Sequence, residues 1–135
     1  MIFIDTNYFA RFFIGDVLTQ QQHVSRLFVR AEKNHVQLMS SITVLFELYW
    51  VLYKFYQLEK EVVINTIEKV LEEYTFVKIQ ERETGLHAVA IASDYSIDFP
   101  DAYHLAYALK HGATECDTFD KKMQKIFQKE QLVNA

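Results

Sequence analysis

The sequence has only one cysteine, one proline and three glycines among its 135 residues. Cys116 alone cannot close an internal disulfide, and no signal peptide is recognisable, so a reducing cytoplasm is the expected setting. So little glycine and proline leaves no flexible linker, and no repeat is visible, so residues 1–135 are expected to form a single domain. No apolar run approaches the roughly 18 residues of a membrane span. The longest candidate, from Ile42 to Tyr56, is interrupted by Glu47 and Lys54. Phosphate-cradling loops of the GxxxxGK[ST] or GxGxxG kind are missing, as are the GxSxG elbow and the HExxH metal helix. Basic residues are in the minority, 14 against 18 acidic, for a formal net charge of −4. That balance argues against a protein that coats nucleic acid by charge alone, but not against an enzyme that meets phosphates through a bound cation.

What is present is apolar and aromatic material, 50% and 15% of the residues, enough for a packed core. Met1 to Ile4 predicts a short strand buried on both faces, ending at the turn-forming Asp5-Thr6-Asn7. A helix from about Tyr8 to Ile14 should stop at Gly15, and Val24, Leu27, Phe28 and Ala31 mark an amphipathic second one. A strand from Val36 to Met39 leads to Ser40 or Ser41 as cap of a helix over Ile42 to Tyr56, apolar nearly all round. Val63, Ile67, Val70, Leu71 and Tyr74 predict a further helix, Thr75 to Ile79 a third strand, and Glu81 to Tyr95 another helix. Asp98 can cap a helix that Gly112 ends. Thr114 to Phe119 reads as a fourth strand, followed by a helix with Met123, Ile126 and Phe127. Strands separated by helices imply a small parallel sheet in an α/β layered fold.

Most of the acidic residues lie in mixed polar stretches and read as solvated helix faces. Four stand apart. Asp5 closes an apolar strand and either caps the next helix or faces the crevice at the strand ends. Asp120, after Thr118-Phe119, repeats that choice. Glu47 has Thr43, Val44, Trp50 and Val51 three and four positions away, so it is expected to be largely buried and therefore protonated, paired with a base or bound to metal. Asp101 lies in a first helical turn, where it either favours the helix dipole or serves a site. If the four share a site, a cation must neutralise them, and hard oxygen ligands select Mg²⁺ or Mn²⁺. Such a pocket suits phosphodiester hydrolysis by a metal-activated water.

Met1-Ile2-Phe3-Ile4-Asp5-Thr6-Asn7 resembles the opening strand and turn of PIN-domain nucleases. The resemblance continues through Glu47, through Asp98-Phe99-Pro100-Asp101-Ala102, and through Thr118-Phe119-Asp120-Lys121-Lys122. Within that family the chain looks most like the VapC-type ribonuclease toxins of type II toxin–antitoxin systems. The resemblance implies a three-layer fold with helices on both faces of the sheet, and a Mg²⁺- or Mn²⁺-dependent endoribonuclease. Its acidic quartet would be Asp5, Glu47, Asp101 and Asp120. Thr6 or Asn7 would orient Asp5 or a metal-bound water, Thr118 would support Asp120, and Asp117 would be a further acid nearby or a surface residue. A cognate antitoxin and a homodimer are implied partners, the latter fitting surplus apolar surface on the helix around Trp50. Arg11 and Lys121 are candidate contacts to RNA phosphates, whereas Lys125 and Lys129 read as a solvated face and His104 as structural. A catalytically silent PIN-like scaffold that acts through protein binding is the competing expectation. A haloacid-dehalogenase-like phosphotransferase is disfavoured because Asn7 stands where a second aspartate would be needed.

Overall fold

Two runs that read as strands and a third between them build one parallel sheet in the computed structural model, which describes residues 1–133. Its strands are β1 (Ile2–Phe3), β2 (Leu38–Ser40) and β3 (Val77–Ile79), in the order β1-β2-β3. Ile2 pairs with Leu38, and Leu38 with Val77. The helices are α1 (Thr6–Ile14), α2 (Leu18–Glu32), α3 (Ile42–Trp50), α4 (Lys60–Glu73), α5 (Arg82–Tyr95), α6 (Phe99–Lys110) and α7 (Lys121–Val133). The architecture is therefore α/β, with a small parallel sheet and seven α-helices among the described residues. The chain divides into two compact units, residues 1–82 and 83–135.

The first unit holds the sheet. β1 was expected to be buried on both faces, but Ile2 and Phe3 are 43% and 53% exposed. A two-residue strand at the edge of the sheet has a neighbour on one side only, and the burial falls instead on Ile4, which is 1% exposed. Ile4 is stitched to β2: its N–H donates to the Met39 carbonyl at 2.9 Å, and the Ser40 hydroxyl donates to the Ile4 carbonyl at 2.9 Å. These bonds fix the strand end from which Asp5 projects. Helix α1 stops at Gly15, whose φ of 69° is left-handed and whose N–H closes on the Arg11 carbonyl. A Cβ there would come within 2.7 Å of the Gln21 amide, so space as well as backbone angle favours glycine.

The long helix expected over residues 42–56 is α3 continued by a wider π-helical turn, Val51–Phe55. Its face is not uniform: Ile42, Leu45, Leu48, Tyr49 and Leu52 are buried, while Thr43, Glu47, Trp50 and Lys54 are exposed. Ser41 stands at the N-cap without a side-chain capping bond; its hydroxyl pairs with that of Thr43 instead. Arg82 closes the unit by donating to the carbonyls of Val70, Leu71, Tyr74 and Val77, which joins the end of α4 to β3.

The second unit is helical. The fourth strand expected over residues 114–119 does not form. The side-chain amides of Gln131 and Gln124, both on α7, donate to the Thr114 and Thr118 carbonyls, and Phe119 is fully exposed. The Glu130 carboxylate of α7 meets α5 through Tyr95 Oη at 3.4 Å and His87 Nε2 at 3.9 Å. No helix among the described residues is long and apolar enough to cross a membrane.

Candidate functional site

Asp5 is the N-cap of α1, and its Oδ1 accepts the N–H groups of Asn7 at 3.1 Å and Tyr8 at 3.3 Å. Both capping bonds fall on Oδ1, so Oδ2 lies outside the cap. Thr6, directly after it and buried, donates its hydroxyl to Glu47 Oε2 at 3.2 Å across 41 residues. The Glu47 carboxylate thus reaches the residue next to Asp5. Thr6 serves Glu47 rather than Asp5, and Asn7 holds Asp5 through its main-chain N–H.

The expected burial of Glu47 is corrected by the structure, in which it is exposed. Two of its four helical neighbours, Thr43 and Trp50, are exposed as well, so an apolar residue type at that spacing does not imply a covered face. No buried charge has to be compensated there.

In the second unit, Asp101 lies in the first turn of α6 and is half-buried. Asp98 occupies the N-cap of that helix in extended backbone, without a capping bond from its side chain. Asp120 mirrors Asp5: its Oδ1 accepts the N–H groups of Lys122 at 2.9 Å and Met123 at 3.2 Å. The Thr118 hydroxyl accepts the Asp120 N–H at 3.0 Å. Asp117 and Lys121 are exposed, as is His104.

Arg11 is tied down. Its Nη1 donates to both Asp16 oxygens at 3.2 Å and to Tyr56 Oη at 2.9 Å, while the Tyr56 hydroxyl donates to Asp16 Oδ2 at 2.9 Å. Neither Asp16 nor Tyr56 stands out in the sequence, because the partners are 40 residues apart and meet only once α1 packs near the π-helical turn. Burial pushes the Asp16 carboxyl pKa up, but the Tyr56 hydroxyl and the Arg11 guanidinium outweigh it and leave it below its ordinary value. Burial and the Asp16 hydrogen bond push the Tyr56 phenol up. A depressed carboxyl stabilises the fold above its unfolded pKa, and that contribution is lost as pH falls through the folded value; a raised phenol contributes below its unfolded pKa and is lost as pH rises. Urea midpoints measured between about pH 2 and pH 7 should therefore fall less steeply on acidification for Tyr56→Phe than for the parent.

In the first unit, Asp5 keeps Oδ2 outside the helix cap and Glu47 keeps Oε1 outside its bond to Thr6, oxygen donors of the kind a hard divalent cation takes. In the second unit, Asp120 likewise keeps Oδ2 outside its cap. Among the described residues, no three or more His, Cys, Asp or Glu side chains are gathered into a metal-holding group. Compared with known families, the sequence matches the PIN domain over residues 2–128. No curated protein and no solved structure matches it.

Proposed function

This chain belongs to the PIN domain family, and from that premise we propose that it is a Mg²⁺- or Mn²⁺-dependent endoribonuclease. PIN domains are generally metal-dependent nucleases. Within the proposal the protein is the VapC-like toxin of a toxin–antitoxin pair, a single PIN-like domain acting in the cytoplasm, homodimeric and blocked by its antitoxin. The carrying observation is the bond from Thr6 to Glu47, which brings a second hard carboxylate to the strand end occupied by Asp5.

Asp5, Glu47, Asp101 and Asp120 are the proposed acidic set, with Asp117 an additional acid. The bound cation would supply an activated water near neutral pH and offset charge on the leaving oxygen. The chain's own residues do the rest. Thr6 fixes the Glu47 carboxylate, the α1 N–H groups fix Asp5, and Thr118 with the α7 N–H groups fixes Asp120. Arg11 and Lys121 supply positive charge for RNA phosphates, Arg11 in an orientation set by Asp16 and Tyr56.

That Asp5 and Asp120 both cap helices favours a second reading, a silent scaffold that acts through protein binding. Incubation with single-stranded RNA separates them. Cleavage should require Mg²⁺ or Mn²⁺, stop on chelation and return when Mn²⁺ is restored. Protein free of antitoxin that takes up no Mn²⁺ by calorimetry and leaves RNA intact would establish the scaffold.

A further inference from the structure

A recess of about 490 Å³ between α1 and α2 shares Asp5 with the candidate site. This is the size range of small-ligand pockets. Two rings line it. Tyr8 and His23 stand nearly perpendicular, at 81° with centroids 6.0 Å apart, and Tyr8 Oη lies 3.4 Å from His23 Nε2. Each ring thereby restrains the plane of the other, although His23 is exposed and would otherwise rotate freely. The lining also includes Asn7, Gln20 and Thr19, whose neutral side chains can each donate or accept. Arg11 and Asp5 add one charge of each sign to the lining.

We propose that this recess is a nucleobase subsite, in which the His23 ring stacks one unpaired base of the RNA and the Tyr8 ring, nearly perpendicular to it, meets that base edge-on. The inference rests on the ribonuclease reading. Flat, restrained rings match the π-face that every base presents, and neutral amides match base edges, which carry donors and acceptors but no charge. The Arg11 guanidinium at the same recess is a partner for the phosphate that adjoins the base. The subsite makes the enzyme read a single-stranded segment, because a base inside a duplex has no free face to offer. Tyr8 and His23 come together only by the packing of α1 on α2, 15 residues apart, so no sequence motif announces the pair.

The test uses the full chain, a short single-stranded RNA, and the same RNA with one abasic position moved along it. His23→Ala should weaken RNA binding in EDTA by about tenfold and raise KM to match, with kcat little changed, the scale of one lost base stack. His23→Tyr should restore it. At one abasic position the parent should lose the same factor and His23→Ala should lose nothing more. Circular dichroism of the variants checks that the fold is kept. Equal affinity of the parent for all the RNAs, or normal KM for His23→Ala while the parent cleaves, would overturn the subsite and leave the ribonuclease intact. Loss of antitoxin binding by His23→Ala with RNA kinetics unchanged would overturn it too, assigning the recess to the protein partner. A parent that neither binds nor cleaves any RNA would remove the ribonuclease reading and the subsite with it.

Discussion

Asp5→Asn should lose RNA cleavage by about a thousandfold or more while its thermal stability stays within about 0.5 kcal/mol of the parent. The contrast rests on what the two residues share. Asparagine caps a helix as well as aspartate does, so the bonds that Asn7 and Tyr8 donate to Oδ1 survive the change. What disappears is the negative charge, and with it a hard anionic ligand for a divalent cation. Asp5→Ala removes both, and should cost about 1 kcal/mol of stability on top of the same loss of activity. If Asp5 were a cap and nothing else, Asp5→Asn would cleave RNA at the parent rate. Cleavage assays on the two variants, with urea denaturation alongside, check each half of the expectation separately.

The same residue illustrates what a sequence carries and what it does not. The turn at Asp5-Thr6-Asn7, the stop at Gly15 and the cap at Asp120 are local: backbone angle, one short side chain and the next two N–H groups decide them. They are legible without knowledge of the fold. Glu47 is not, because its neighbours on the helix give the composition of its face but not what lies against that face. Thr43 and Trp50 turn out to face solvent with it. The segment 114–119 fails for a related reason. A strand depends on main-chain pairing that local residue types do not reveal, and here the α7 glutamine amides take two of the carbonyls. Long-range polar pairings are the least legible of all. Thr6 with Glu47, Arg11 with Tyr56 and Tyr8 with His23 join ordinary residue types at distances set by packing, with no spacing rule to reveal them.

Arg82 belongs to that last group, and it supports the largest expected effect on stability. It opens α5, where the sequence suggests only a charged, solvated turn beside Glu81 and Glu83. Instead its two terminal nitrogens donate to four carbonyls: Val70 and Leu71 in the last turn of α4, Tyr74 just beyond it, and Val77 on β3. The final carbonyls of a helix have no partners within it, and a cation there also opposes the negative end of the helix dipole. Burial pushes the guanidinium pKa down from its ordinary value, so the environment does penalise its charge. Arginine remains ionised nonetheless, because its unperturbed pKa is so high. Arg82→Ala would leave these carbonyls to find water or go unpaired, and should lower the stability of the chain by about 3 kcal/mol, or roughly 10 °C in Tm. Arg82→Lys should recover no more than about half of the loss, because a compact ammonium cannot span acceptors on a helix end and a strand at once. Thermal and urea denaturation of both variants measure this. A loss under about 1 kcal/mol for Arg82→Ala would mean that solvent satisfies the carbonyls without it, and that α4 and β3 are held together by their apolar contacts alone.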